Sequence, residues 1–125
     1  MTNKILIADD EDYVAKTMAR IIKFYHPEVE VEMHTESEKA LEILSKNIKD
    51  YSFALLDLRF KRQEMQGLEL IANTRKISDT FPIIAYSGDN YDKEKILEAG
   101  ANEVIQKPFE MEHFNEIISK YLKTK

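Results

Sequence analysis

Three short, uninterrupted apolar runs constrain this chain most. Ile5-Leu6-Ile7-Ala8 leads into Asp9-Asp10, Phe53-Ala54-Leu55-Leu56 into Asp57, and Pro82-Ile83-Ile84-Ala85-Tyr86 into Ser87-Gly88. A run of this length without polar alternation suits a strand covered on both faces. The intervening segments supply the covering layers. Val14, Met18, Ile21, Ile22 and Tyr25 recur at helical spacing, and that helix stops ahead of His26-Pro27. Val29 to Met33 alternates with period two, which predicts a strand with one wet side, suited to a sheet edge. Thr35 or Ser37 is placed to cap a second helix carrying Ala40, Leu41, Leu44 and Ile48. Leu68, Ile71, Thr74 and Ile77 predict a third helix after Gly67. Lys93 to Ala99 predicts a fourth, closed by Gly100. Val104-Ile105 reads as a short strand. Phe114, Ile117, Ile118, Tyr121 and Leu122 form the stripe of a last helix.

Five strands thus alternate with five helices. Alternation with short connections means right-handed crossovers, an α/β fold and a parallel sheet with helices on both faces. The 125 residues hold three Gly and three Pro and no Ser/Gly-rich stretch, so one domain spanning 1–125 is expected. Apolar residues make up 43%, too many for a disordered chain. There is no Cys, which excludes disulfides, thiolate metal sites and a Cys nucleophile. The net charge of −5 argues against direct nucleic-acid or anionic-membrane binding. No apolar run is long enough to span a bilayer or act as a signal peptide, so a soluble, cytoplasmic protein is expected. There is no GxxxxGK[ST] segment, and no GxGxxG follows the first strand, which disfavours an NTP-hydrolysing P-loop and dinucleotide binding.

Sheets of this kind bind ligands beyond the carboxyl ends of their strands. Asp9 and Asp10 follow the first strand, Asp57 the third, Ser87 the fourth and Lys107 the fifth. Two carboxylates about 4 Å apart repel by about 4 kcal/mol at an effective dielectric near 20. Three on one rim protonate, splay or take up a cation, and an oxygen-only donor set suits Mg²⁺. Each residue also has a plainer use. Asp9 to Asp12 can cap the first helix, Asp57 can be a turn residue, Ser87 a helix cap and Lys107 a solvated charge. The joint placement favours a phosphoryl site, with Gly88 letting a backbone amide approach. His26, His34 and His113 form no cluster and read as structural or solvated.

The runs Ile5 to Glu11, Leu55-Leu56-Asp57, Ala85-Tyr86-Ser87-Gly88 and Gln106-Lys107-Pro108-Phe109 resemble the receiver domain of two-component response regulators, of the chemotaxis-regulator kind. The resemblance spans the chain. It implies a flavodoxin-like, doubly wound five-stranded parallel sheet in the order 2-1-3-4-5, with five helices. It implies that Asp57 accepts a phosphoryl group from a phosphohistidine of a sensor histidine kinase or phosphotransfer protein, with Mg²⁺ or Mn²⁺ as cofactor. Asp10, Asp57 and the backbone carbonyl of Arg59 would ligate the metal, and Asp9 would act through water. Ser87, Gly88 and Lys107 would bind the phosphoryl oxygens, and the Lys107–Pro108 bond would be cis. Such a chain is no enzyme beyond its own phosphotransfer and autodephosphorylation. Its output would leave through the face of helix 4, strand 5 and helix 5 to a downstream protein, and that face also allows a homodimer. With no output domain after Lys125, the signal is expected to leave by contact, from a stand-alone protein or an excised domain.

The sequence also departs from the family pattern. Asp57 and Gly67 stand ten residues apart, a longer interval than usual, and Lys61 replaces a common proline. Val104 occupies the place of an aromatic switch residue, and Tyr86 is not an obvious substitute. Arg59 and Asp89 take the two variable positions beside the site and are expected to pair across its mouth. Two rivals remain. One is a pseudo-receiver, an interaction module that is not phosphorylated. The other is a flavin binder, which Asp9-Asp10-Glu11-Asp12 opposes by repelling phosphate.

Overall fold

Successive residues of a strand point to opposite faces, and the buried residues sort accordingly. In the computed structural model, which describes residues 3–88 and 91–123, Ile5, Ile7, Phe53, Leu55, Ile84 and Tyr86 join one core cluster. Leu6, Ala8, Ala54, Leu56, Ile83 and Ala85 join the other. The strands are β1 (Lys4–Ala8), β2 (Glu30–His34), β3 (Phe53–Asp57), β4 (Ile83–Ser87) and β5 (Glu103–Gln106). All neighbours are parallel, in the order β2-β1-β3-β4-β5. The expected flavodoxin-like arrangement is therefore observed. The topology reverses direction at β1 and β3, whose carboxyl ends carry Asp9, Asp10 and Asp57.

The helices are α1 (Asp12–Tyr25), α2 (Ser37–Asn47), α3 (Gly67–Ile77), α4 (Lys93–Ala99) and α5 (Met111–Tyr121), and a 3-10 turn lies at Ile48–Asp50. Ala15, Met18 and Ile22 of α1 and Phe114, Ile117 and Ile118 of α5 cover one face of the sheet. Ala40 and Leu44 of α2, Leu70 and Ile71 of α3 and Ile96 of α4 cover the other. Fully burying a Leu or Ile side chain contributes roughly 1.5–3 kcal/mol, so these two layers dominate the stability.

Three local expectations are corrected. Neither Thr35 nor Ser37 caps α2. Ser37 is its first residue, and its N–H and hydroxyl both donate to Gln63 Oε1, at 2.7 and 3.1 Å. The buried face of α3 is Gly67, Leu70, Ile71 and Thr74, while Leu68 and Ile77 are exposed. In β2, which does lie at an edge, Met33 is exposed and Glu32 is half-buried. Glu32 turns inward because it gathers Lys4 Nζ at 3.2 Å, His34 Nε2 at 2.7 Å and the Tyr51 hydroxyl at 2.8 Å.

The Lys107–Pro108 peptide is cis, as expected. Gly100 closes α4 with φ 126°, a conformation that excludes most side chains. At the opposite end of the molecule, Asn3 Nδ2 donates to the Lys123 carbonyl at 3.0 Å. Lys123 N–H returns a bond to Asn3 Oδ1 at 2.8 Å, and Ser52 donates to the same oxygen at 2.6 Å.

Candidate functional site

The carboxyl ends of β1, β3, β4 and β5 open into one cleft lined by Asp10, Glu11, Asp57, Arg59, Lys61, Ser87, Gly88 and Lys107. Asp9 lies beneath it, fully buried, and Asp57 and Ser87 are nearly so. Asp9, Asp10 and Asp57 each place a carboxylate oxygen within 4.8 Å of the others. Asp9, Asp10, Asp57, Arg59, Ser87, Gly88 and Lys107 thus converge, although they come from distant segments. Asp89 falls outside the described residues, and with it the expected pairing with Arg59.

Each acid is held differently. Asp9 Oδ1 accepts from Glu11 N–H at 2.8 Å, and Asp9 Oδ2 accepts from the Tyr86 hydroxyl at 2.7 Å. Asp57 Oδ1 accepts from Leu58 N–H at 2.9 Å. Asp10 Oδ2 accepts from Lys61 N–H at 2.8 Å. Burial pushes the Asp57 carboxyl up to about 7, and the charge of Asp9 adds to the rise while Lys107 opposes it. Burial also raises Asp9, against the bonds from Glu11 and Tyr86. Two buried acids that disfavour ionisation side by side, with a third at hand, form a hard oxygen donor set. A divalent cation is the group that relieves their repulsion, and these residues fit one.

The ammonium of Lys107 stands 4.7 Å from the centre of the Tyr86 ring, over its face. Its backbone N–H donates to the Ser87 carbonyl at 2.8 Å, which ties the two loops together. Gly88 does not need its missing side chain in this conformation: an added Cβ would meet Lys107 Cδ at 3.7 Å, an ordinary contact. Gly67 does. A Cβ there would collide with the Asp57 carbonyl and Leu58 Cα, so α3 can begin this close to Asp57 only on a glycine.

The longer loop after Asp57 is ordered by two glutamines. Gln66 accepts from Phe60 N–H at 2.9 Å and donates to the Phe60 carbonyl at 2.7 Å, while the Phe60 ring is buried in the core. Gln63 reaches α2 as described and donates to the Thr35 carbonyl at 2.9 Å. The sequence assigns no role at the site to Tyr86, Lys61 or these glutamines. For Tyr86 a signal existed: period two puts Asp9, Asp57, Tyr86 and Lys107 on the same face as Ile7, Leu55, Ile84 and Ile105.

A family model for the response regulator receiver domain matches residues 5–119. The chain belongs to the response regulator receiver domain family. Over 113 residues, 87% of the chain, this receiver domain is 34% identical to the transcriptional regulatory protein SrrA of Staphylococcus aureus. It spans 43% of that relative's length. It is similar to the CheY-like receiver domain protein of Methanospirillum hungatei, with a TM-score of 0.84 and 24% identity over 96% of this chain and 93% of that one. It is also similar to the N-terminal domain of a response regulator/sensory box/GGDEF 3-domain protein of Carboxydothermus hydrogenoformans. That match has a TM-score of 0.82 and 25% identity over 95% and 93% of the two chains. Receiver domains usually bind Mg²⁺ through acidic residues, interact with histidine kinases, and are generally not enzymes beyond removing their own phosphoryl group. Among the described residues of this receiver domain, no helix is long and apolar enough to cross a membrane.

Proposed function

We propose that this chain is a phosphorylation switch with Asp57 as acceptor. The observation that carries this reading is the placement of Asp57, nearly buried, between two further acids and opposite Lys107 in an open cleft. An Asp57 carboxylate oxygen attacks the phosphorus of a phosphohistidine on a sensor histidine kinase or phosphotransfer protein. The new O–P bond forms as the P–N bond breaks, and the departing imidazole nitrogen takes up a proton. Asp10, Asp57 and the Arg59 carbonyl, with Asp9 through water, would hold Mg²⁺ or Mn²⁺, which when bound would neutralise charge at the phosphoryl oxygens. The Ser87 hydroxyl and Gly88 amide donate to those oxygens and the Lys107 ammonium pairs with them. Water attack on phosphorus then releases phosphate and restores the Asp57 carboxylate.

The acyl phosphate adds charge and acceptor oxygens to the rim. Drawing Ser87 and Lys107 toward them shifts the loops after β4 and β5, and so the face of α4, β5 and α5, where a downstream protein or a second copy docks. Val104 is half-buried on the face shared with α3 and α4 and offers no ring to rotate, so this output runs through the loops themselves. The reading takes 1–125 as one receiver domain working in the cytoplasm. Incubation with acetyl phosphate and Mg²⁺, followed by intact mass measurement, tests it. Addition of one phosphoryl group to the wild type and none to Asp57→Asn is expected. No addition to the wild type would leave the pseudo-receiver reading in its place.

A further inference from the structure

Tyr86 sits one residue before the end of β4, fully buried, directly across from Asp57 on β3. Its hydroxyl donates to Asp9 Oδ2 at 2.7 Å, and its ring face lies 4.7 Å below the Lys107 ammonium. One side chain therefore touches both the deepest acid of the cleft and its lysine. Phe would fill the same core volume, so packing alone does not account for the hydroxyl.

We infer that Tyr86 is a positioning residue: its hydroxyl fixes the Asp9 carboxylate for metal binding, and its ring holds the Lys107 ammonium at the cleft. The inference rests on the phosphoacceptor reading above. A carboxylate with a donor on each oxygen, Glu11 N–H on Oδ1 and Tyr86 on Oδ2, cannot turn about its own axis. Asp9 is fully buried, so without the hydroxyl its Oδ2 is a buried acceptor lacking that donor, and it reorients to find one. Partners of this kind set the orientation of groups that hold metals. The ring acts separately. An ammonium within about 6 Å of an aromatic face is attracted to its negative quadrupole, so Lys107 is kept over Tyr86 rather than released to solvent.

Tyr86→Phe removes the hydroxyl and keeps the ring, and Tyr86→Leu removes both. Mn²⁺ binding, followed by water proton relaxation in the unphosphorylated protein, is expected to weaken about tenfold in Tyr86→Phe. Phosphorylation by acetyl phosphate is expected to slow in that variant at low Mg²⁺ and to recover at saturating Mg²⁺. In Tyr86→Leu a deficit of about fivefold is expected to persist at saturating Mg²⁺, reflecting the unplaced lysine. Wild-type Mn²⁺ affinity in Tyr86→Phe, or a deficit in it that saturating metal does not repair, overturns the role of the hydroxyl. Full recovery of Tyr86→Leu at saturating metal overturns the role of the ring. If Tyr86→Leu does not fold, the Phe variant still decides the first point. If the wild type accepts no phosphoryl group, the proposed function fails, while the Mn²⁺ comparison still judges the hydroxyl.

Discussion

The backbone N–H of Lys61 donates to Asp10 Oδ2 at 2.8 Å, and Lys61 Nζ lies 3.9 Å from Glu11. The lengthened loop after β3 thereby reaches back to the acids after β1. A proline at this position has no N–H to give. Lys61→Pro is expected to free Asp10 and weaken Mn²⁺ binding about tenfold, whereas Lys61→Ala keeps the backbone bond and stays close to wild type. Relaxation titrations of the two variants check this. Equal weakening in both would place the effect in the side chain instead.

Gln63 supplies the N-terminal cap that α2 lacks in its own sequence, through its bonds to Ser37 and Thr35. Gln63→Ala is expected to cost about 1 kcal/mol, the usual worth of a cap. Urea unfolding, read by circular dichroism, measures it. Gln63→Glu provides a contrast, because a carboxylate still accepts from Ser37 but cannot donate to the Thr35 carbonyl.

Gly67→Ala is expected to destabilise the fold strongly and to disturb Asp57, since the new Cβ meets the Asp57 carbonyl and Leu58 backbone. Gly88→Ala is expected to leave stability within about 0.5 kcal/mol of wild type, because its Cβ enters ordinary contact only. Thermal melts of the pair distinguish a glycine required by contact from one that is not.

The metal-free protein is expected to lose stability as pH rises. Asp57 is raised from 3.8 to about 7 in the folded state, so between those values the folded protein holds a proton that the unfolded chain has released. Unfolding free energy therefore falls as pH climbs through that window. Mg²⁺ is expected to reverse the trend by taking the proton's place, and Asp57→Asn to flatten it. Melting temperatures across pH 4 to 8, with and without Mg²⁺, test the sign.

At the acid end a different group takes over. Glu32 is lowered from 4.5 to about 2 by His34, Tyr51 and Lys4, which outweigh its partial burial. Its contribution is present above about 4.5 and is lost as pH falls toward 2. Glu32→Gln is expected to remove that part of the acid sensitivity, seen as a shallower fall in melting temperature below pH 4.5.

The legible parts of this fold were those whose determinants are local. α4 matches its predicted bounds because it ends on a glycine that takes positive φ, and β3 overruns its apolar run by one residue, with Asp57 as its last. The convergence of Asp9, Asp10, Asp57, Ser87 and Lys107 was legible because parallel topology alone brings strand ends together. Hidden features depended on partners far along the chain. Ile48 continues the α2 stripe yet lies in a separate turn, since the chain there must descend toward β3. Glu32 looked solvent-facing until Lys4 and Tyr51 were beside it. The cap from Gln63 crosses 26 positions, a distance no periodicity reports.

The knot of Asn3, Ser52 and Lys123 has a mechanical meaning for signalling. It fastens the tail of α5 to the floor of the sheet, and Tyr121 bolts the same end to Glu103 with a bond of 2.6 Å. A stiff rod clamped at its foot can only tilt. Under the proposed switching, a displacement launched from the loop holding Lys107 would be greatest at Met111 and fade toward Tyr121, so a partner reading this helix would sense its head and grip its base.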